Sequence, residues 1–190
     1  MSSLVERLKT LLGFGVELAK SDSQEHHATI KHHYEVECFD KDGNLKWHDE
    51  FDNLVVTAGL NKYLDATLKT GLASPSWFVG LVTGPGSGNT YAAADTMASH
   101  AGWAENTSYA AGTRPAFTPG SIAAGSVDNS AAKASFAINA SITLAGSFMA
   151  DNSTKGGSTG TLLGVGNFTG GDRTAVNTDV INVTLTASIS

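Results

Sequence analysis

The stretch Ala134–Phe148, ASFAINASITLAGSF, decides the fold of this 190-residue chain. Ala134, Phe136, Ile138, Ala140, Ile142, Leu144 and Phe148 fall on even positions, with Gly146 the one interruption, while Ser135, Asn139, Ser141, Thr143 and Ser147 lie among the odd ones. Side chains alternate across a strand with a period of two, so the pattern predicts one long strand, or two joined at a bend, with one dry and one wet face.

The same period recurs on both sides. Ile181, Val183, Leu185, Ala187 and Ile189 alternate with Asn182, Thr184, Thr186 and Ser188 in a final strand, and TLLGVGNF (161–168) and SWFVGLVTG (76–84) read as further strands. SVDNS (126–130), DNSTKGGSTG (151–160) and TGGDR (169–173) supply turn residues between them. AAADTMASHAGWAE (92–105) reads as a short helix or a structured loop. Short strands punctuated by Gly, Ser and Asn predict a mainly β protein, an antiparallel β-sandwich or jelly-roll-like domain.

Upstream the composition changes. Residues 1–70 hold 8 Lys/Arg and 12 Asp/Glu with 4 Gly, whereas residues 71–190 hold 4 and 6 with 17 Gly. We divide the chain into an arm (1–27), a hairpin plus helix (28–75) and the Gly/Ser/Thr-rich sandwich (76–190). In the arm, Leu4, Leu8, Leu11 and Leu12 are helically spaced, with Ser2 or Ser3 as cap and Gly13 and Gly15 weakening the second half. A helix this short is marginal in water, so its apolar stripe needs a cover, from the protein's own body or from a partner. In the hairpin, Ile30, His32, Tyr34, Val36 and Cys38 alternate with charged residues, Asp42-Gly43 marks the turn, and LKWHDEF returns with Leu45, Trp47 and Phe51 facing in. Next, Thr57 caps a helix whose stripe is Leu60, Tyr63, Leu64 and Leu68, closed by Gly71.

Several function classes are disfavoured. Charged residues are 16% of the chain and the net charge is −6, which opposes phosphate binding and hence nucleic acid. A lone cysteine, Cys38, leaves no disulfide framework or Cys-rich zinc site. No apolar run nears the roughly 20 residues that cross a bilayer, and the charged N-terminus does not read as a signal peptide, so the expectation is synthesis and solubility in a cytoplasm without membrane association. His26, His27, His32, His33 and His48 raise the question of a metal, but neighbouring histidines in a strand face opposite ways. GPGSGNT (84–90) lacks the Lys-Ser/Thr of a phosphate loop. His100 beside Trp103 and Glu105 is the one acid–base grouping on offer in the β-region, and no nucleophile elbow accompanies it. The expectation is a protein without catalysis, cofactor or metal.

FDNLVVTAGLNKYLDATL (51–68) after a hairpin, WFVGLVTG (77–84), YAAADTMASHAGWAENTSY (91–109), RPAFTPG (114–120), SVDNSAAKASFAINAS (126–141) and the segment from Gly146 through GGDR to Ser190 come in an order that resembles a group of tailed-bacteriophage virion proteins. The resemblance covers residues 34–190 and is specific in the order of blocks rather than in any one. It implies a structural protein of the head-decoration (cement) or tail-associated type, with no cofactor. Under the first reading the protein coats the virion head as a homotrimer and binds the major capsid protein. Leu4, Val5, Leu8, Leu11, Leu12 and Phe14 of the arm would then contact capsid or neighbouring copies. The alternative is a tail or fibre component in which the loops at 84–92 and 151–160, with Tyr91, Trp103 and Tyr109, recognise a host surface.

Overall fold

The computed structural model describes residues 29–69 and 75–190; the expected amphipathic arm and the closing Gly71 lie outside them. Strands β1 (Ile30–Phe39) and β2 (Leu45–Asp52) form the hairpin. Its turn is set by Gly43 at φ +83° and by the Asp40 carboxylate, which accepts the backbone N–H groups of Asp42 and Asn44 at 2.9 and 2.8 Å. The hairpin is built into the sandwich: β1 pairs antiparallel over all ten residues with the last strand, β11 (Val180–Ile189), from Ile30 opposite Ile189 to Phe39 opposite Val180. Along the far edge of β11 lie β6 (Ser126–Asp128) and β7 (Ala134–Ala137), end to end. This makes a five-stranded first sheet in the order β2-β1-β11-β6/β7.

The second sheet runs β3-β9-β8-β4-β5, with β10 also on β8. Its strands are β3 (Leu54–Val55), β4 (Phe78–Thr83), β5 (Glu105–Asn106), β8 (Ile142–Ala150), β9 (Leu162–Asn167) and β10 (Arg173–Ala175). The two sheets enclose one core, in which Tyr34, Val36, Cys38, Phe136, Ile181, Val183 and Leu185 of the first meet Val79, Leu81, Leu144, Met149 and Leu163 of the second. The fold is an antiparallel β-sandwich, as the alternation predicts.

Residues 134–148 are two strands, and the bend between them carries the chain from one sheet to the other. β7 keeps the expected dry and wet faces, but β8 is buried on both from Leu144 to Ala150. A second core explains this: Met97 and Trp103, from the irregular segment after β4, cover Val82, Ala145, Phe148, Ala150, Leu162 and Val165 on the outer side of the second sheet. A bulge adds to the effect. Gly146 lies opposite Val82 and Leu144 opposite Thr83, so Ala145 is extra and the alternation inverts there. Leu144 therefore joins the inner core and Phe148 the outer one.

Two further expectations are corrected. In β2, Phe51 points inward and Trp47, half-buried on the same face, packs on the core as expected, but Leu45 is exposed, and the buried partner of Phe51 is Asp49, held by Arg173 at 2.6 Å. The helix α1 (Thr57–Leu68) starts where expected, with Val56 and not Thr57 in the cap position, and presents a different face. It docks through Gly59, where a Cβ would lie 2.3 Å from the Leu163 carbonyl oxygen, and through Tyr63. Contact that close admits only glycine, which turns Leu60, Leu64 and Leu68 outward, 39, 56 and 79% exposed. Residues 92–105 take the loop alternative, held by paired bonds between Thr96 and Ser99.

The bulge makes Gly146 a test of this packing, because a Cβ there would stand 1.8 Å from the Gly166 carbonyl oxygen, in backbone that has no room to move. Gly146→Ala is expected to cost at least about 3 kcal/mol in urea denaturation. At Gly88, where nothing lies within 4 Å, the same substitution is expected to change stability by less than about 0.5 kcal/mol.

Candidate interaction surface

Among the described residues, the side chains that suggested chemistry are each held in contacts of their own. His32 is buried, while His33 on the opposite face pairs with Asp52 at 2.9 Å and Glu50 at 3.7 Å; His26 and His27 lie outside the described residues. Among the described residues no three His, Cys, Asp or Glu side chains are arranged to hold a metal ion. His100 stacks on Trp103 with ring centroids 4.0 Å apart, and its Nδ1 lies 3.1 Å from the Trp103 carbonyl. Trp103 in turn donates to Asp95, while Glu105 is drawn away by Arg114. Burial, then the charge of Asp179, pushes the Cys38 thiol up to about 11, so it stays protonated and unreactive at neutral pH.

The glycine-rich turn at 84–90 borders a cleft of about 290 Å³ lined by Gly86, Ser87, Asn167 and Asp172. There the Gly86 N–H, the group a phosphate would need, already donates to the Asp172 carboxylate at 2.7 Å. A carboxylate in that place repels anions. The loop aromatics are also inside: Tyr109 and Trp103 are buried and Tyr91 is half-buried, its hydroxyl bonded to Asn167.

The structure instead sets apart a surface. From Asn106 to Val127 the only charged residue is Arg114, and it is buried. Residues 110–113 and 118–125 are exposed and consist of Ala, Gly, Ser, Thr, Pro and Ile, with Ile122 79% exposed at the tip. This run covers the β6/β7 edge of the first sheet: Ala110 N–H bonds the Ala137 carbonyl at 2.8 Å, Gly120 N–H the Asp128 carbonyl at 2.7 Å, and Ala123 pairs with Ser126. The opposite edge strand, β2, carries Lys46, His48, Glu50 and Asp52, with Glu35 and Glu37 beside them on β1.

Arg114 gives the uncharged surface its shape. Its guanidinium donates to both oxygens of Glu105 at 2.9 and 2.7 Å, and to the carbonyls of Asn152 and Gly157 at 2.7 and 3.0 Å, above the ring of Phe148. Glu105 also accepts the Gly156 N–H at 2.9 Å. Two loops are thereby fixed to the second sheet. Lys155 adds a bond to each of the Tyr109 and Ala111 carbonyls, its ammonium 4.5 Å from the centre of the Tyr109 ring. Burial and the neighbouring Glu105 charge hold the Tyr109 hydroxyl well above the usual phenol range.

The contact residues expected from the sequence, Leu4, Val5, Leu8, Leu11, Leu12 and Phe14, lie outside the described residues. The uncharged edge escaped the sequence reading. Its signal, twenty-two residues with a single charge, is visible in the chain, but that the one arginine turns inward is not.

Replacing Arg114 by leucine leaves the Glu105 carboxylate buried and unpaired. It is expected to cost about 3–5 kcal/mol by urea denaturation, and Arg114→Leu with Glu105→Leu to recover part of that loss.

No protein-family model matches the chain, and no curated protein matches it.

Proposed function

We propose that the chain is a structural protein of a tailed-bacteriophage virion, a decoration protein that binds the assembled head in many copies and stabilises it without chemistry. The observation that carries this reading is the preformed, uncharged edge at 110–113 and 118–125. A chain of net charge −6 meets repulsion wherever its charged faces approach one another, and least where charge is absent. The order of sequence blocks supports the same class. The burial of Trp103 and Tyr109 favours the head over the tail, since recognition of a host glycan calls for exposed aromatic rings.

The mechanism is linkage. A protein that binds the closed shell and not its separated subunits adds its binding free energy to the cost of opening the shell. The uncharged edge meets the major capsid protein or a second copy in a trimer, and the arm through Leu4, Val5, Leu8, Leu11, Leu12 and Phe14 reaches neighbouring subunits.

Cryo-electron microscopy of purified virions tests the location. Density for this chain at three-fold or quasi-three-fold positions of the head is expected, and density confined to the tail would replace this reading with host recognition. Ala111→Asp with Ile122→Asp is expected to leave the fold intact and weaken retention on heads at least about tenfold. Leu8→Asp with Leu11→Asp is expected to abolish attachment while the sandwich stays folded.

A further inference from the structure

His32 is the buried histidine that no part of the proposed function uses. It points inward from β1, fully buried, and its Nε2 lies 2.7 Å from the hydroxyl of Tyr63 on α1. Its Nδ1 is buried without a partner. Its main-chain carbonyl accepts the Asn53 N–H at 3.1 Å, just before β3 and α1. The same strand residue therefore ties down both the helix and the chain leading into it.

The ring meets the Tyr63 hydroxyl from α1; beside it in the fold are Tyr34, the next inward residue of β1, Ala187 opposite on β11, and Asn53 from the β2–β3 link, whose Oδ1 is also buried without a partner. None carries a charge at neutral pH. The charged neighbours Lys31, His33 and Asp52 occupy the other face of the sheet. A neutral imidazole needs one acceptor, whereas an imidazolium has two N–H donors. Here one oxygen, the Tyr63 hydroxyl, lies at hydrogen-bond distance, so the cation would place a second N–H, at Nδ1, where no partner is in place.

The helix it holds is weakly attached. α1 has no side-chain cap, three outward leucines and Gly59 as its one fully buried residue. Beyond Gly59, Tyr63 packs on the inner core and Ala58 on the outer one, the Thr57 N–H bonds the Ala93 carbonyl at 2.8 Å, and Lys62 lies 3.8 Å from Asp151. A twelve-residue helix without packing is marginal in water.

We propose that His32 and Tyr63 form an acid-sensitive latch: when the imidazole takes up a proton, α1 leaves the sandwich while the two sheets stay paired. Burial holds the His32 ring below its ordinary value of 6.5, at about 4. A base with a lowered value in the docked state contributes stability above its ordinary pKa and loses it as the pH falls from about 6.5 towards 4. The latch is independent of the virion reading and would operate in any setting that acidifies.

Hydrogen exchange on the full chain, corrected for the intrinsic pH dependence of exchange, tests it. Protection of the α1 amides is expected to fall roughly twenty-fold between pH 7 and pH 5, while β8 and β11 keep theirs. His32→Gln, whose amide can still meet the Tyr63 hydroxyl, is expected to flatten that dependence, and Asp151→Asn to leave it in place. In the wild-type chain the His32 ring is expected to titrate below pH 5 by NMR, a readout that stands should His32→Gln fail to fold. Constant α1 protection in the wild type, loss of α1 and β8 together, a flat curve in Asp151→Asn, a wild-type curve in His32→Gln, or a His32 ring titrating near 6.5 would each overturn the latch.

Discussion

The bidentate pair between Arg114 and Glu105 is the constraint on which the irregular half of the molecule depends. Residues 84–133 contain only two named strands, of two and three residues, yet they cover the outer face of one sheet and the open edge of the other. Backbone placed so must find partners for its N–H and C=O groups. Arg114 and Glu105 supply them at a junction of three segments, bonding Asn152, Gly156 and Gly157 while sitting on Phe148. A buried ion pair adds little net stability against an apolar replacement, and breaking one partner is costly. Its contribution here is to select one arrangement of the loops.

The same economy governs nearly every charge of residues 71–190. Arg173 holds Asp49, Lys46 holds Asp179, Lys133 holds Glu37, and Lys155 is spent on two carbonyls. Asp95, Asp128, Asp151 and Asp172 each accept a backbone N–H. The scarce charges of this region are structural, and the surface they leave behind is built from small uncharged side chains.

The alternation of apolar residues made the strands, the hairpin and the sandwich legible in the sequence, because a half-buried strand records its two faces directly. What stayed hidden depended on neighbours in space. The inversion at Ala145, which turns Ser147 to the inner side, requires the pairing of β8 with β4, and the burial of Phe148 on the outer side requires a second core lying over the sheet. Leu60, Leu64 and Leu68 form a regular stripe that any helical reading turns inward, and only the contact of Gly59 with Leu163 turns it out. Asp49 reads as a solvated residue until Arg173, 124 positions away, is seen beside it. Of the uncharged edge the sequence shows the scarcity of charge from Asn106 to Val127, but not that its one arginine turns inward.

The two edges of the first sheet complete the electrostatic picture. On the hairpin edge Glu35 stands opposite Glu50 and Glu37 opposite His48, a like-charged pair next to a pair that is opposite only when the histidine is protonated. Charges on an edge strand discourage pairing with other chains, and the glutamates give up some hairpin stability to that end. At the other edge the short strands β6 and β7 are covered by the loops at 110–113 and 118–125, which themselves carry no charge, so it offers no free strand to a neighbour. Contact there is left to shape and to the apolar tip at Ile122, 79% exposed.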